Sequence, residues 1–203
     1  MTNSPKTQMS AIPSASPGIE FIEEGHIYLY EGVITPSVSQ IIRFELEEYK
    51  DVPNKILQNK ADYGTKVHEL IESMENGLSL EEVKEMPIDP YIKVSLEEYA
   101  RIKAEHDLKI ESMEQIIGNS HVCGRYDLRL EDGTIGDFKT NRVFPKRHLE
   151  IQLGLYNWLT GREGKGFCIW LPKGAQGQYI EIDPISNEEC EEIIARYEKY
   201  HTE

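Results

Sequence analysis

Residues His121 to Thr140 read HVCGRYDLRLEDGTIGDFKT, and their pattern decides the fold. His121–Leu130 alternates as a strand, with Val122, Tyr126, Leu128 and Leu130 on one face. Cys123, Arg125, Asp127 and Arg129 share the other face. Glu131-Asp132-Gly133 is a tight-turn signal, and Thr134–Thr140 reads as the returning strand. On it Asp137 and Lys139 are two apart, so they share a face with Ile135. The short turn therefore brings Asp127, Asp137 and Lys139 together.

Working outward, Leu108–Ile117 is a preceding strand, joined through Gly118-Asn119. A helix follows over roughly Pro145–Thr160, ended by Gly161. Lys165–Leu171 and Gln178–Ile182 are further strands, and Ser186 with Glu189 caps a terminal helix. Upstream, helices run from about Asp62 to Met74 and from Asp89-Pro90 to His106, with a brief one capped by Ser79 and Glu82. Ile19–Ile22 and Ile27–Tyr30 form a hairpin, and Thr35-Pro36 opens a short helix as N-cap and first position. Residues 1–18, rich in Ser, Thr and Pro, read as a disordered tail, leaving 19–203 as a single domain. The expected class is α/β (α+β), a mixed central sheet flanked by helices in α-β-β-β-α-β order.

The chain has 203 residues and a formal net charge of −14, against a protein whose whole surface grips nucleic acid. The charge is uneven: residues 124–180 hold nine basic and six acidic side chains, a net of +3, leaving −17 elsewhere. Acid clusters at Glu45–Glu48, Glu81–Glu85 and Glu188–Glu192 read as solvated helix faces. No membrane span or secretory signal is legible, which points to the cytoplasm. Cys123, Cys168 and Cys190 have no spacing of a disulfide framework and read as reduced, buried thiols.

Two carboxylates converging on a sheet repel each other unless a cation lies between them. Hard oxygen ligands suit Mg²⁺ or Mn²⁺. A lysine beside them can orient or deprotonate a water, or neutralise a phosphate. Asp-x-Lys alone is ordinarily a surface ion pair, so the set needs support. It comes from Gly64-x-x-x-His68, with Glu72 one turn on, and from Gln152-x-x-x-Tyr156 after the active strand.

The order Gly64-x-x-x-His68, Gly124-x-x-Asp127, Asp137-Phe138-Lys139, Gln152-x-x-x-Tyr156 resembles the PD-(D/E)XK nuclease superfamily, in its RecB-type branch. The two carboxylates lie ten residues apart and Gln152 follows Lys139 by thirteen, as in that family. The resemblance covers about residues 60–172 and implies a restriction-endonuclease-like core. It further implies that Asp127, Asp137, His68 and the Phe138 carbonyl bind Mg²⁺ or Mn²⁺. Lys139 would activate the water, and Gln152 and Tyr156 would contact DNA or steady Lys139. Glu72 is a candidate supporting group. The cysteines that flank an iron–sulfur cluster in some members are absent, so no cluster is expected.

The opening hairpin and Thr35-Pro36-Ser37 resemble leaders of stand-alone phage-type members. The implied function is a metal-dependent DNA nuclease, more an exonuclease than a structure-specific endonuclease, acting in recombination, repair or phage DNA processing. Its setting would be a bacterial or phage-infected cytoplasm. Implied partners are DNA ends or single-stranded regions, a single-strand annealing or recombination protein, and further copies of the chain. Arg142, Lys146 and Arg147 would steer the phosphate backbone. The competing expectation is a non-cleaving DNA-binding or assembly protein on the same fold.

Overall fold

The computed structural model describes residues 16–47 and 54–202, the side chains of 54–61 excepted. A small antiparallel sheet comes first: β1 (Ile19–Ile22), β2 (Ile27–Tyr30) and β3 (Val33–Thr35), in that spatial order. Helices α1 (Val38–Leu46), α2 (Asn54–Glu75), α3 (Leu80–Glu85) and α4 (Pro90–Glu105) follow. The main sheet begins with β4 (Ile110–Gly118), β5 (Cys123–Leu130) and β6 (Ile135–Lys139). The chain then crosses through α5 (Lys146–Thr160) to β7 (Gly166–Trp170) and β8 (Gln178–Ile182), and ends in α6 (Asn187–Thr202).

The five main strands lie in sequence order, all neighbours antiparallel except β6 and β7. The one parallel pair is the one spanned by a helix, as a crossover requires. Burial explains the two covering layers. Ile41, Ile42, Leu149, Leu153, Ile193 and Ile194 of α1, α5 and α6 pack with Ile135, Cys168 and Ile182 on one face. Val67, Ile71, Leu96, Tyr99 and Ile102 of α2 and α4 pack with Leu128, Phe138, Phe167 and Ile169 on the other. The expected mixed sheet flanked by helices is therefore present.

Three local expectations are corrected. The N-cap of α1 is Ser37, not Thr35: its hydroxyl accepts from the Gln40 N–H, and the Gln40 side chain accepts from the Ser37 N–H. Thr35 instead ends an unexpected third strand, and the Pro36 carbonyl accepts from the Cys123 N–H at 2.9 Å, tying the leader to β5. The expected tail, 1–18, falls outside the described residues as far as 15. Residues 16–18 are tied down: Ser16 N–H donates to the Ile116 carbonyl and Glu31 N–H to that of Gly18. Finally, β5 does not keep one alternation. Val122 and Tyr126 join the α1/α5/α6 layer, whereas Leu128 and Leu130 join the α2/α4 layer. The pleat breaks between Tyr126 and Leu128, which places Asp127 at the break.

Candidate active site

The site opens where β5 and β6 part. Their ladder pairs Leu128 with Gly136 and Arg129 with Ile135, and goes no further. The Phe138 N–H donates instead to Asp127 Oδ2, at 2.8 Å. Beyond the ladder the strands diverge around polar side chains. Asp137 is 1% exposed. Its Oδ2 lies 2.5 Å from Lys139 Nζ, yet has no hydrogen bond of proper geometry. Oδ1 accepts from Gln152 Nε2 at 2.7 Å. Gln152 Oε1 in turn accepts from Lys139 Nζ at 3.1 Å. One amide thus holds carboxylate and ammonium together.

Helix α5 presents Gln152 and Tyr156 one turn apart, both buried. The Tyr156 hydroxyl donates to the Arg125 carbonyl at 2.7 Å, bracing β5 beside Asp127. Gly124 is needed for this approach: a Cβ there would lie 2.9 Å from Tyr156 Cε1 and 2.8 Å from Val38 Cγ2. Gly64 plays a similar part in α2, where a Cβ would come within 3.2 Å of Thr140 Oγ1. The two glycines of the sequence pattern thus mark close approaches to the site.

His68, on α2, turns its Nδ1 to 3.6 Å from Asp127 Oδ2 and sets its ring edge-on to Phe138. Glu114, on β4, completes a group. Donor atoms of His68, Glu114 and Asp127 all lie within 4.8 Å of one another. The sequence reading missed Glu114. Hairpin arithmetic contained it: Gly118 pairs with Cys123 and Gln115 with Tyr126, so Glu114 falls opposite Asp127. Its backbone has φ 51, a left-handed conformation that is strained for a residue with a side chain. Asp137, expected as a ligand, is engaged here by Lys139 and Gln152. Glu72 lies outside the group, although its charge contributes to raising Glu114.

Electrostatics mark the cluster as under tension. Burial lowers His68 to about 4, so its imidazole is neutral and free to ligate. Burial, then the neighbouring Asp127 carboxylate, pushes Asp137 up to about 6 and Glu114 up to about 8. Asp127 is raised as well, chiefly by burial. For Lys139 burial works downward, but Asp137 and Asp127 outweigh it and hold the ammonium charged. Lys139 can therefore orient a water and neutralise a phosphate in this state. A cation among the carboxylates would offset their mutual repulsion, and the oxygen-rich set with one imidazole fits Mg²⁺ or Mn²⁺.

These groups line a cleft of about 190 Å³, walled on one side by His26, Tyr28, Ser37 and Val38. Among the described residues its cationic side chains are Lys139 and Arg125. Arg142, Lys146 and Arg147, expected to steer DNA, do not line it. Arg147 pairs with Glu189 and Glu150, and Lys146 lies 3.6 Å from Glu150. Arg142 is exposed on the loop after β6. All three cysteines are buried. Among the described residues no helix is long and apolar enough to cross a membrane.

No family model and no curated protein matches the chain. Among solved structures, the crystal structure of SSO0001 is similar, with 17% identity and a TM-score of 0.46. The overlap covers 79% of this chain and 73% of that one.

Proposed function

We propose that this protein is a divalent-metal-dependent nuclease that hydrolyses DNA phosphodiesters. The observation that carries the reading is the convergence of Asp127, Asp137 and Lys139 at the parting of two strands, with Gln152 bridging the last two. His68, Glu114 and Asp127 would hold the ion. A bound divalent ion supplies Lewis-acid polarisation of a phosphate oxygen and a water of lowered pKa. The chain's own part is positional. Lys139, kept cationic by its carboxylates, meets the attacking water and the developing charge on the phosphorus oxygens. Gln152 fixes the lysine, and Tyr156 braces the strand that carries Asp127.

The resemblance of the motif order to RecB-type nucleases supports DNA as substrate and favours attack from an end. The net charge of −14 agrees with a narrow, salt-sensitive footprint around one cleft. The test is Mg²⁺-dependent degradation of linear duplex labelled at the 5′ or 3′ end, beside nicked, single-stranded and covalently closed circular DNA. Linear strands should shorten progressively from an end while closed circles survive. Cutting of closed circles would replace the exonuclease reading with an endonuclease. Binding without turnover on every substrate would replace both with a non-cleaving protein.

A further inference from the structure

A phosphate entering this cleft needs a cation, and the basic residues after β6 lie elsewhere. Arg125 stands in the cleft two residues before Asp127, its side chain one-third exposed (34%) and its guanidinium 5.9 Å over the Phe21 ring. It is already occupied: Nε lies 2.7 Å from Glu114 Oε2. Glu114 is thus shared. One neighbour is the arginine, and the others are His68 and Asp127, with which it forms the metal-ligating group. Its one carboxylate serves both, from a residue whose backbone is left-handed at φ 51. Lys139, fixed beside Asp137 by that carboxylate and by Gln152, serves the water and the reacting phosphate, so the grip on the strand falls to the other cleft cation, Arg125.

We propose that Arg125 is the phosphate-gripping residue of the cleft, and that Glu114 holds it in check until a divalent cation draws the carboxylate away. The proposal rests on the nuclease reading above and deepens it by coupling metal to substrate. With Glu114 committed to the ion, the guanidinium fork turns to a strand phosphate, for which its paired N–H donors are suited. Coupling of this kind is reciprocal: the phosphate and the ion must each tighten the other.

The experiment is anisotropy of a fluorescein-labelled dT 20-mer at about pH 8.5, where the Glu114 carboxyl is ionised and pairs with Arg125, in EDTA and in Ca²⁺, with a gel confirming that the strand stays intact. Mn²⁺ binding is measured in parallel by paramagnetic resonance. Wild type should bind the strand about tenfold more tightly with Ca²⁺ than with EDTA, within the usual range of coupling. Arg125→Gln should lose that gain and yet bind Mn²⁺ more tightly, because Glu114 is released. Glu114→Gln should tighten DNA binding in EDTA several-fold, and the double variant Glu114→Gln/Arg125→Gln should not. Arg125→Lys, which keeps charge but not the fork, should recover only part of the affinity.

DNA binding by Arg125→Gln within twofold of wild type in Ca²⁺ would overturn the proposal. So would a Glu114→Gln gain that persists in the double variant, since removal of a negative charge would then suffice. Unchanged Mn²⁺ binding in Arg125→Gln would refute the coupling. A wild type that binds no strand in either condition would sink the nuclease reading as well.

Discussion

Replacing Gln152 with leucine removes the amide that joins Asp137 to Lys139 and leaves most of the volume in place. Gln152 is 8% exposed, so the leucine is buried and the cavity term is small. Two hydrogen bonds are lost, at 2.7 Å to Asp137 Oδ1 and 3.1 Å from Lys139 Nζ. Each has a charged partner, and bonds of that kind contribute about 1.5–3 kcal/mol. Asp137 and Lys139 still hold each other at 2.5 Å, which retains part of that sum. The net loss should be about 2–4 kcal/mol, or roughly 5–15 °C in Tm for a domain of this size. Thermal and urea unfolding of the metal-free protein measure it. Gln152→Glu adds a signature: a fourth carboxylate in the cleft should destabilise more at pH 8 than at pH 5, where it takes up a proton. A Gln152→Leu midpoint within about 2 °C of wild type would refute the claim that this amide organises the site.

Gly124→Ala should cost about 1–3 kcal/mol by overpacking against Val38 and Tyr156, read as a lower urea midpoint; an unchanged midpoint contradicts the close approach. Glu114→Gly should raise metal-free stability by about 1 kcal/mol, by relieving the left-handed backbone and a buried carboxylate, while Mn²⁺ affinity falls at least about tenfold. Calorimetry and Mn²⁺ titration read the two halves; retained metal affinity would remove Glu114 from the ligand set. In pH dependence, Glu114 has its carboxyl raised from 4.5 to about 8, so its folded form holds a proton that its unfolded form releases. Its contribution is present below pH 4.5 and fades up to about 8. His68, lowered from 6.5 to about 4, acts oppositely, gaining stability as pH rises to 6.5 and adding nothing further above it. Metal-free Tm should therefore fall between about pH 6.5 and 8, and Mn²⁺ should reverse the fall; a flat or rising profile would contradict the crowded-carboxylate account.

What was legible in the sequence depends on local rules. Turn residues at Gly118-Asn119 and Glu131-Asp132-Gly133, caps at Ser79 and Ser186, and Gly161 as a left-handed helix end each act within a few residues, and the structure keeps them. The grouping of Asp137, Lys139 and Gln152 was legible because strand period and the crossover helix bring them together. Features set by tertiary contacts were not. The change of face between Tyr126 and Leu128 lies where β6 parts from β5, and Glu114 meets His68, which is carried by α2, 46 residues earlier in the chain. Arg147 looked free for a phosphate because its partner Glu189 lies 42 residues away, on α6. Thr35 and Ser37 both suit an N-cap, and only the reciprocal bond with Gln40 selects Ser37.

The central claim, that Asp137 and Lys139 carry metal-dependent cleavage, is tested most directly by one side-by-side assay. End-labelled linear DNA is incubated with wild type, Asp137→Asn and Lys139→Ala, in Mg²⁺ and in EDTA, with circular dichroism confirming that each is folded. The account predicts cleavage by wild type in Mg²⁺ alone. It predicts a loss of at least about 100-fold in both variants, the scale expected when one stabilising group of a transition state is removed. Cleavage persisting in both folded variants, or in EDTA, would contradict it.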